Sequence, residues 1–114
     1  MNELTIELSG SITIGKGDTA IHRQVRDALD QGYGIIILDM EKVNYMDSAG
    51  VGAIAASFTS AKHKNAQFAL TKLQPKIERL LKIMCFLDLI PCFTSNEDAL
   101  QIMRARAKKA QSGS

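Results

Sequence analysis

One apolar run followed by a polar turn constrains the fold of this chain more than any other stretch. Residues 35–38 read Ile-Ile-Ile-Leu, which predicts a strand buried on both faces, as in a parallel sheet. Residues 51–58 are small or apolar and compatible with a helix. Asp47 and Ser48 stand between them, so we expect Ser48 at a helix N-terminus on the carboxyl edge of a sheet. In open α/β sheets, ligands and partners bind at that edge.

Ser48 has two interpretations that its position alone leaves open. A serine before an apolar helix can be a structural N-cap that accepts a hydrogen bond from an amide of the first turn. It can also be a phosphorylation site, because a phosphate there would meet free backbone amides and the positive end of the helix dipole. The phosphate would add about 1.5 to 2 negative charges beside Asp47 and would repel a partner that docks there.

The first fourteen residues alternate apolar and polar side chains in two short runs. Residues 4–8 and 11–14 are separated by Ser9-Gly10, a turn signal. This pattern predicts an antiparallel hairpin with Ile12 and Ile14 in the core.

The rest of the chain alternates between helical and strand patterns. Asp18 or Thr19 is expected to cap the first helix, and Ser95 or Asn96 the last. Strands 35–39 and 67–71 should be parallel, because a helical crossover joins them. The predicted helices are 19–31, 49–62, one from Pro75 and one from about residue 96, with a short edge strand at 90–93. We therefore predict an α/β fold, a single domain with a mixed sheet of four to five strands and about four helices. The domain is assigned to residues 1–107, and 108–114 are predicted to be a disordered basic C-terminal tail.

Gly50 and Gly52 are unusual residues for the start of a helix. Each costs about 1 kcal/mol in a helix interior relative to alanine. Close approach of another backbone, a partner or a phosphate would account for them, and so would tight packing of the helix on the sheet. The sequence leaves both explanations open.

The composition excludes several classes of function. The net charge of +2 is small and dispersed, and the chain has no tryptophan, so no nucleic-acid surface is expected. Cys85 and Cys92 lie seven residues apart with apolar neighbours, which indicates small core fillers and no zinc or redox motif. The sequence contains no signal peptide pattern and no run long enough to span a membrane, so we expect a cytoplasmic protein without membrane contact.

A serine between a strand and a helix also raises the possibility of a hydrolase. The nucleophile elbow needs a glycine two residues before the serine, and position 46 is methionine. His63 lies about 22 Å from Ser48 along a helix at 1.5 Å per residue, whereas spacing does not exclude His22. We predict no catalytic residues, no metal site and no cofactor, and therefore no enzyme.

Residues 44–52 read Asn-Tyr-Met-Asp-Ser-Ala-Gly-Val-Gly and resemble the signature of the STAS superfamily. The likeness runs from about Leu4 to Met103 and is strongest to stand-alone bacterial anti-anti-sigma factors. It implies a STAS fold and phosphorylation of Ser48 by a partner anti-sigma factor, a serine kinase. The unphosphorylated protein would sequester that kinase and free a sigma factor, thereby regulating transcription. ATP would belong to the partner, and a phosphatase of the PP2C type could restore the serine.

The same resemblance implies which residues contact the partner. In that family, the segment corresponding to residues 15–19 lies near the serine and helps to bind the partner. Lys16-Gly17 departs from the acidic residue that many relatives carry after the first glycine, so the partner contacts of this chain can differ. The implied set is Gly17, Asp18, Asp47, Ser48, Ala49 and Gly50. A second reading is a STAS module in a lipid-transport or signalling assembly, where Ser48 would belong to a docking surface and need no phosphorylation.

Overall fold

The computed structural model describes residues 2–112, which form strands and helices in strict alternation. The elements are β1 (Asn2–Ile12), α1 (Asp18–Asp30), β2 (Tyr33–Met46), α2 (Ser48–His63), β3 (Gln67–Thr71), α3 (Pro75–Ile83), β4 (Cys92–Phe93) and α4 (Asn96–Ser112). The strands form one sheet in the order β1-β2-β3-β4. The predicted α/β fold with four strands and four helices is confirmed. Each neighbouring pair of described strands is parallel, so this sheet is parallel and not mixed.

The apolar run in β2 divides the protein into two cores. Ile36 and Leu38 face a large cluster that includes residues of α1, α2 and α3. Ile35 and Ile37 face the opposite side, where they pack with residues of α4. All four side chains are almost fully buried. The prediction of a strand buried on both faces is therefore confirmed.

The antiparallel hairpin predicted at the N-terminus is wrong. Residues 2–12 form one strand, and register shifts against β2 within residues 7–11 mark where it is irregular. Gly10 has a φ of +75° at this point. A glycine inside a strand commonly marks a bulge, which explains why a turn signal did not end this one. Ile12 is buried, but Ile14 lies beyond the end of the strand and is 78% exposed, so its assignment to the core is also wrong.

β2 is much longer than the sequence pattern predicted. We expected a strand to Asp39 and a loop from there to Ser48, but β2 continues to Met46. Its second half pairs with the second half of β1, and Ile12 stands opposite Met46. The ends of the two strands consequently lie side by side at the carboxyl edge of the sheet. This register places the segment after β1 beside the start of α2.

The helix termini agree only in part with the predicted caps. α1 begins after Gly17, which has a φ of +87°, and no side chain caps it, so the predicted cap at Asp18 or Thr19 is wrong. The predicted cap of α4 by Ser95 is confirmed, because the Ser95 hydroxyl accepts a hydrogen bond from the Asp98 N–H at 3.0 Å.

α4 also overlaps the predicted basic tail. The helix continues through residues 108–112, whereas 113–114 lie outside the described residues. A domain boundary at residue 107 stays a prediction. The assignment of the two cysteines to the core is wrong, because Cys85, just after α3, and Cys92, in the short edge strand, are exposed free thiols.

A polar network in the middle of the sheet was not predicted. Asp39 is buried, and its carboxylate accepts hydrogen bonds from the Glu41 N–H and the Asn96 side-chain amide, both at 3.0 Å. The Lys72 ammonium lies 3.4 Å from the same carboxylate. Burial acts to raise the pKa of Asp39, but the Asn96, Glu41 and Lys72 hydrogen bonds outweigh it and hold the pKa below its ordinary value. The network joins β2 to the start of α4.

Candidate functional site

The site predicted around Ser48 lies where β1 and β2 end together. The Asp47 N–H donates a hydrogen bond to the Ile12 carbonyl at 3.3 Å. The Ile14 N–H in turn donates to the Asp47 side chain, at 3.1 Å from Oδ2. These bonds join the segment after β1 to the start of α2. The two predicted partner-binding segments, residues 15–19 and 47–50, are therefore neighbours in the structure.

Asp47, and not Ser48, is the N-cap of α2. Asp47 is extended, with φ −103° and ψ −174°, and its Oδ1 accepts the Gly50 N–H at 3.0 Å. Hydrogen bonds from the Gly50 and Ile14 N–H groups hold the pKa of the Asp47 carboxyl below its ordinary value. The carboxylate is therefore ionised at neutral pH. The prediction that Ser48 caps the helix is wrong, because the non-helical backbone that a cap requires falls one residue earlier.

Ser48 is the first residue of α2 and is exposed. Its hydroxyl has no hydrogen-bond partner among residues 2–112. Two of the first amides of the helix are already occupied, since the Gly50 N–H binds the Asp47 side chain and the Val51 N–H binds the Asp47 carbonyl at 3.1 Å. A phosphate on Ser48 would therefore meet fewer free amides than the sequence indicated.

The two glycines of α2 have different surroundings. A Cβ atom added to Gly50 would lie 2.3 Å from the Ile12 carbonyl oxygen, far inside ordinary contact distance. Gly50 is buried, so tight packing of the helix against β1 explains this glycine. A Cβ atom on Gly52 would have nothing within 4 Å, and this residue is exposed. Internal packing therefore does not explain Gly52.

The segment between β1 and α1 is a tight turn. Thr13 and Lys16 exchange two backbone hydrogen bonds of 2.9 and 2.8 Å. Gly17 packs on Ile12, since a Cβ atom there would lie 3.8 Å from the Ile12 Cγ2. Asp18 follows and is half-buried, and its Oδ1 is buried without a hydrogen-bond partner in the described chain. The turn presents Gly17 and Asp18 on the same edge of the molecule as Asp47.

Two exposed apolar side chains beside Ser48 were missed by the sequence analysis. Ile14 is 78% exposed, and Tyr45, three residues before Ser48, is 52% exposed. The alternating pattern of residues 11–14 predicts Ile14 in the core, and no pattern assigns Tyr45 a role. The tyrosine within residues 44–52 was a signal that could have been used, since exposed aromatic residues are enriched at protein interfaces.

The structure offers little chemistry of other kinds near Ser48. The His22 imidazole, which spacing alone did not exclude, lies 3.4 Å from the Ser60 hydroxyl in the second half of α2. Among residues 2–112, no group of three histidine, cysteine or acidic side chains could hold a metal ion. No helix in this part of the chain is long and apolar enough to cross a membrane.

Comparison with known proteins places this geometry in a family. A family model described as STAS domain matches residues 2–99. The anti-sigma-B factor antagonist of Listeria monocytogenes is 30% identical over 80 residues, which cover 67% of this chain and 70% of that protein.

Two solved structures have the same fold at low sequence identity. TM1081 from Thermotoga maritima superposes with a TM-score of 0.82 at 22% identity, covering 90% of this chain and 87% of that one. The Bacillus cell fate determinant SpoIIAA, solved in its phosphorylated form, superposes with a TM-score of 0.67 at 20% identity, covering 88% and 89% of the two chains. These structural likenesses concern the fold alone.

Proposed function

The chain belongs to the STAS domain family, and from that premise we propose that it is an anti-sigma factor antagonist switched by phosphorylation of Ser48. One observation carries this proposal. The Ser48 hydroxyl is exposed and makes no hydrogen bond within the described chain, because the neighbouring Asp47 caps the helix. Because Asp47 performs the capping, Ser48 can be modified without removing a hydrogen bond that holds the helix. A relative of this fold, SpoIIAA, has been solved in a phosphorylated form, which supports the idea.

The partner surface that we propose centres on Ser48 and has apolar anchors on one side. The exposed side chains of Ile14 and Tyr45 supply apolar area of the kind that protein interfaces bury at their centre. The half-buried side chain of Asp18 would add to this surface. Gly17, Asp47 and Ala49 complete this surface. Gly50 is buried beneath them and would contribute through its packing on Ile12.

The switch would act through charge at the middle of that surface. Asp47 already holds one negative charge, and a phosphate on Ser48 would add about 1.5 to 2 more. A partner that buries this pair and offers no cation opposite it would remove both groups from water without neutralising them. A buried interfacial charge without a partner costs several kcal/mol, and each 1.4 kcal/mol is about tenfold in affinity.

The chain would thus be a binding protein, and the chemistry would belong to its partners. Unphosphorylated protein would sequester an anti-sigma factor serine kinase, which binds ATP and phosphorylates Ser48. Release of the kinase would return the sigma factor to its inhibitor, and a phosphatase of the PP2C type could reset the serine. We propose no catalytic residue, metal or cofactor in this chain.

Variants of Ser48 test the proposal against the purified partner. Ser48→Ala should bind like wild type and resist inactivation by kinase and ATP. Ser48→Asp should bind about a hundredfold more weakly or worse, because it adds a carboxylate beside Asp47. Thr59→Asp is the matched control, since it places the same charge at an exposed position of the same helix, away from Ser48.

Calorimetric titration of the four proteins with the partner gives the decisive comparison. If all four bind with equal affinity, the phosphorylation switch is wrong. A STAS module that serves as a scaffold or as an accessory subunit of a lipid-transport or signalling assembly would then be the better reading.

A further inference from the structure

A second concave site lies on the other half of α2, away from Ser48. It is a cavity of about 450 Å³ between the C-terminal half of α2 and the turn at residues 86–90. The lining residues are Ala55, Phe58, Thr59, Lys62, His63, Phe86, Leu89 and Ile90. Small-molecule sites in proteins have volumes of roughly 300–1,000 Å³, so this cavity is large enough for a ligand.

The walls of the cavity are mostly apolar. Phe58 and Phe86 provide aromatic surface, and Phe58 is held in place by an edge-to-face contact with the buried Phe68 at 6.1 Å between ring centroids. Leu89 is 61% exposed although it lines the cavity, so its apolar surface is available to a ligand. Such walls would bind a hydrocarbon or aromatic body.

The polar groups of the cavity carry no negative charge. The Lys62 ammonium lies 5.5 Å from the centre of the Phe58 ring, at the boundary between the apolar wall and water. Thr59 and His63 are the other polar lining residues, and no aspartate or glutamate lines the cavity. A ligand with one anionic group would therefore find a cation within the lining.

The end of α2 is closed by its own backbone, which limits the negative charge that it brings to the cavity. Carbonyl groups at a helix C-terminus normally carry partial negative charge. Here three carbonyls of the last turn, those of Ser60, Ala61 and Lys62, accept hydrogen bonds from the backbone N–H groups of residues 64–66. Asn65 has a φ of +57°, the left-handed conformation typical of such an end.

From these observations we propose that the cavity binds a small amphiphilic carboxylate. Its apolar body lies against Phe58, Phe86 and Leu89, and its carboxylate pairs with the Lys62 ammonium. Because Lys62 is exposed, a neutral apolar molecule would leave its ammonium hydrated and would gain no attraction from it, whereas an amine would be repelled by it. The carboxylate class is therefore the one that both the walls and the charge of the cavity favour.

The proposed site is separate from the surface around Ser48. Ala55 is the cavity residue nearest to Ser48 in sequence, and it lies about 10 Å along the helix at 1.5 Å per residue. Binding of the carboxylate consequently does not depend on the switch proposed for Ser48. The two proposals can fail independently.

Titration of the intact chain with three eight-carbon probes tests the site. Octanoate, octan-1-ol and octylamine share the apolar body and differ in charge. We expect octanoate to shift the backbone amide resonances of residues 55–63 and 86–90 saturably. Octylamine should bind about tenfold more weakly, because a favourable ion pair is exchanged for a repulsion.

Two substitutions separate the cavity from non-specific binding. Ala55→Leu adds side-chain volume to the lining and should abolish the saturable shifts. Lys62→Gln removes the cation and should weaken octanoate about threefold while leaving octan-1-ol unchanged. Lys64→Gln is the matched control, because it removes a neighbouring lysine that does not line the cavity and should leave octanoate binding unaltered.

Three outcomes would overturn the proposal. Shifts scattered over the whole protein would show that octanoate binds without a site. Equal affinity for octanoate and octylamine would remove the role of Lys62. Resonances of residues 55–63 that change with protein concentration, and not with octanoate, would mean that a second copy of the chain occupies the cavity.

Discussion

The two glycines of α2 provide a sharp test of how this helix is packed. Gly50 and Gly52 are two residues apart in the same helix, so any simple propensity scale predicts that alanine stabilises the protein at both positions. The structure predicts opposite effects. Alanine at position 50 would drive its Cβ atom against the Ile12 carbonyl, whereas alanine at position 52 would point into open space.

The magnitudes follow from the geometry. Gly52→Ala should gain about 1 kcal/mol from helix propensity. For Gly50→Ala, the Cβ atom would lie 2.3 Å from the Ile12 oxygen, about 1 Å closer than ordinary contact. Because the neighbour is backbone, β1 or the helix must shift, and overpacking of this kind costs about 1–3 kcal/mol. After the propensity gain of about 1 kcal/mol is subtracted, we expect a net loss of up to about 2 kcal/mol.

Thermal and urea unfolding followed by circular dichroism measure both effects. For a domain of this size, 1 kcal/mol corresponds to about 4 °C in Tm. Gly52→Ala should therefore melt about 4 °C higher than wild type, and Gly50→Ala up to about 8 °C lower. If both variants shift in the same direction by the same amount, the close approach of α2 to β1 does not control stability and the reasoning is refuted.

Further predictions concern the serine and the buried carboxylate. Treatment with the cognate kinase and ATP should label Ser48 alone, and peptide mapping that finds label on Ser57, Thr59 or Ser60 with Ser48 unmodified would contradict this. Phosphorylation should change Tm by only a few degrees, because the helix N-terminus favours the phosphate by about 1 kcal/mol while Asp47 opposes it; a shift of tens of degrees would count against it. Asp39→Asn should cost about 2 kcal/mol at pH 7 in urea unfolding. The pKa of Asp39 is lower in the folded than in the unfolded protein, so the stability that its carboxylate adds is complete above the unfolded pKa and is lost as pH falls through the folded pKa. The difference in unfolding free energy between wild type and Asp39→Asn should therefore shrink below about pH 4.

The parts of the fold that follow from local pattern were predictable. The run at residues 35–38 is apolar without alternation, and only a strand covered on both faces buries every member. The helix predicted at residues 19–31 is likewise found within one residue of those bounds, as α1. These signals depend on residues close in sequence, and the register of the sheet does not change them.

The hairpin prediction was wrong because the dipeptide Ser9-Gly10 is compatible with two different structures. Ser9-Gly10 is a turn signal, but a glycine with positive φ also fits a bulge within a continuous strand. The choice depends on whether a second long strand is available as a partner. Residues 40–46 of β2 are that partner, and their pattern alone did not indicate a strand.

The polar network at Asp39 and the cavity beside Phe58 were beyond the reach of sequence reasoning. Asp39 and Asn96 are 57 residues apart, and Phe58 and Phe86 approach each other only because α2 and the turn after α3 pack on the same side of the sheet. Neither pair has a spacing that marks it. Such contacts are consequences of the tertiary fold.

Because Asp47, and not Ser48, caps α2, variants at the two positions must be interpreted differently. Both residue types are good N-caps, so the sequence could not say which one performs the capping. Since Asp47 caps the helix and also holds the Ile14 N–H, its replacement would disturb the helix start and the neighbouring turn together. Binding lost in an Asp47 variant would therefore have two explanations. Ser48 makes no such contact in the described chain, so a change in affinity caused by Ser48→Ala or Ser48→Asp can be assigned to the surface itself.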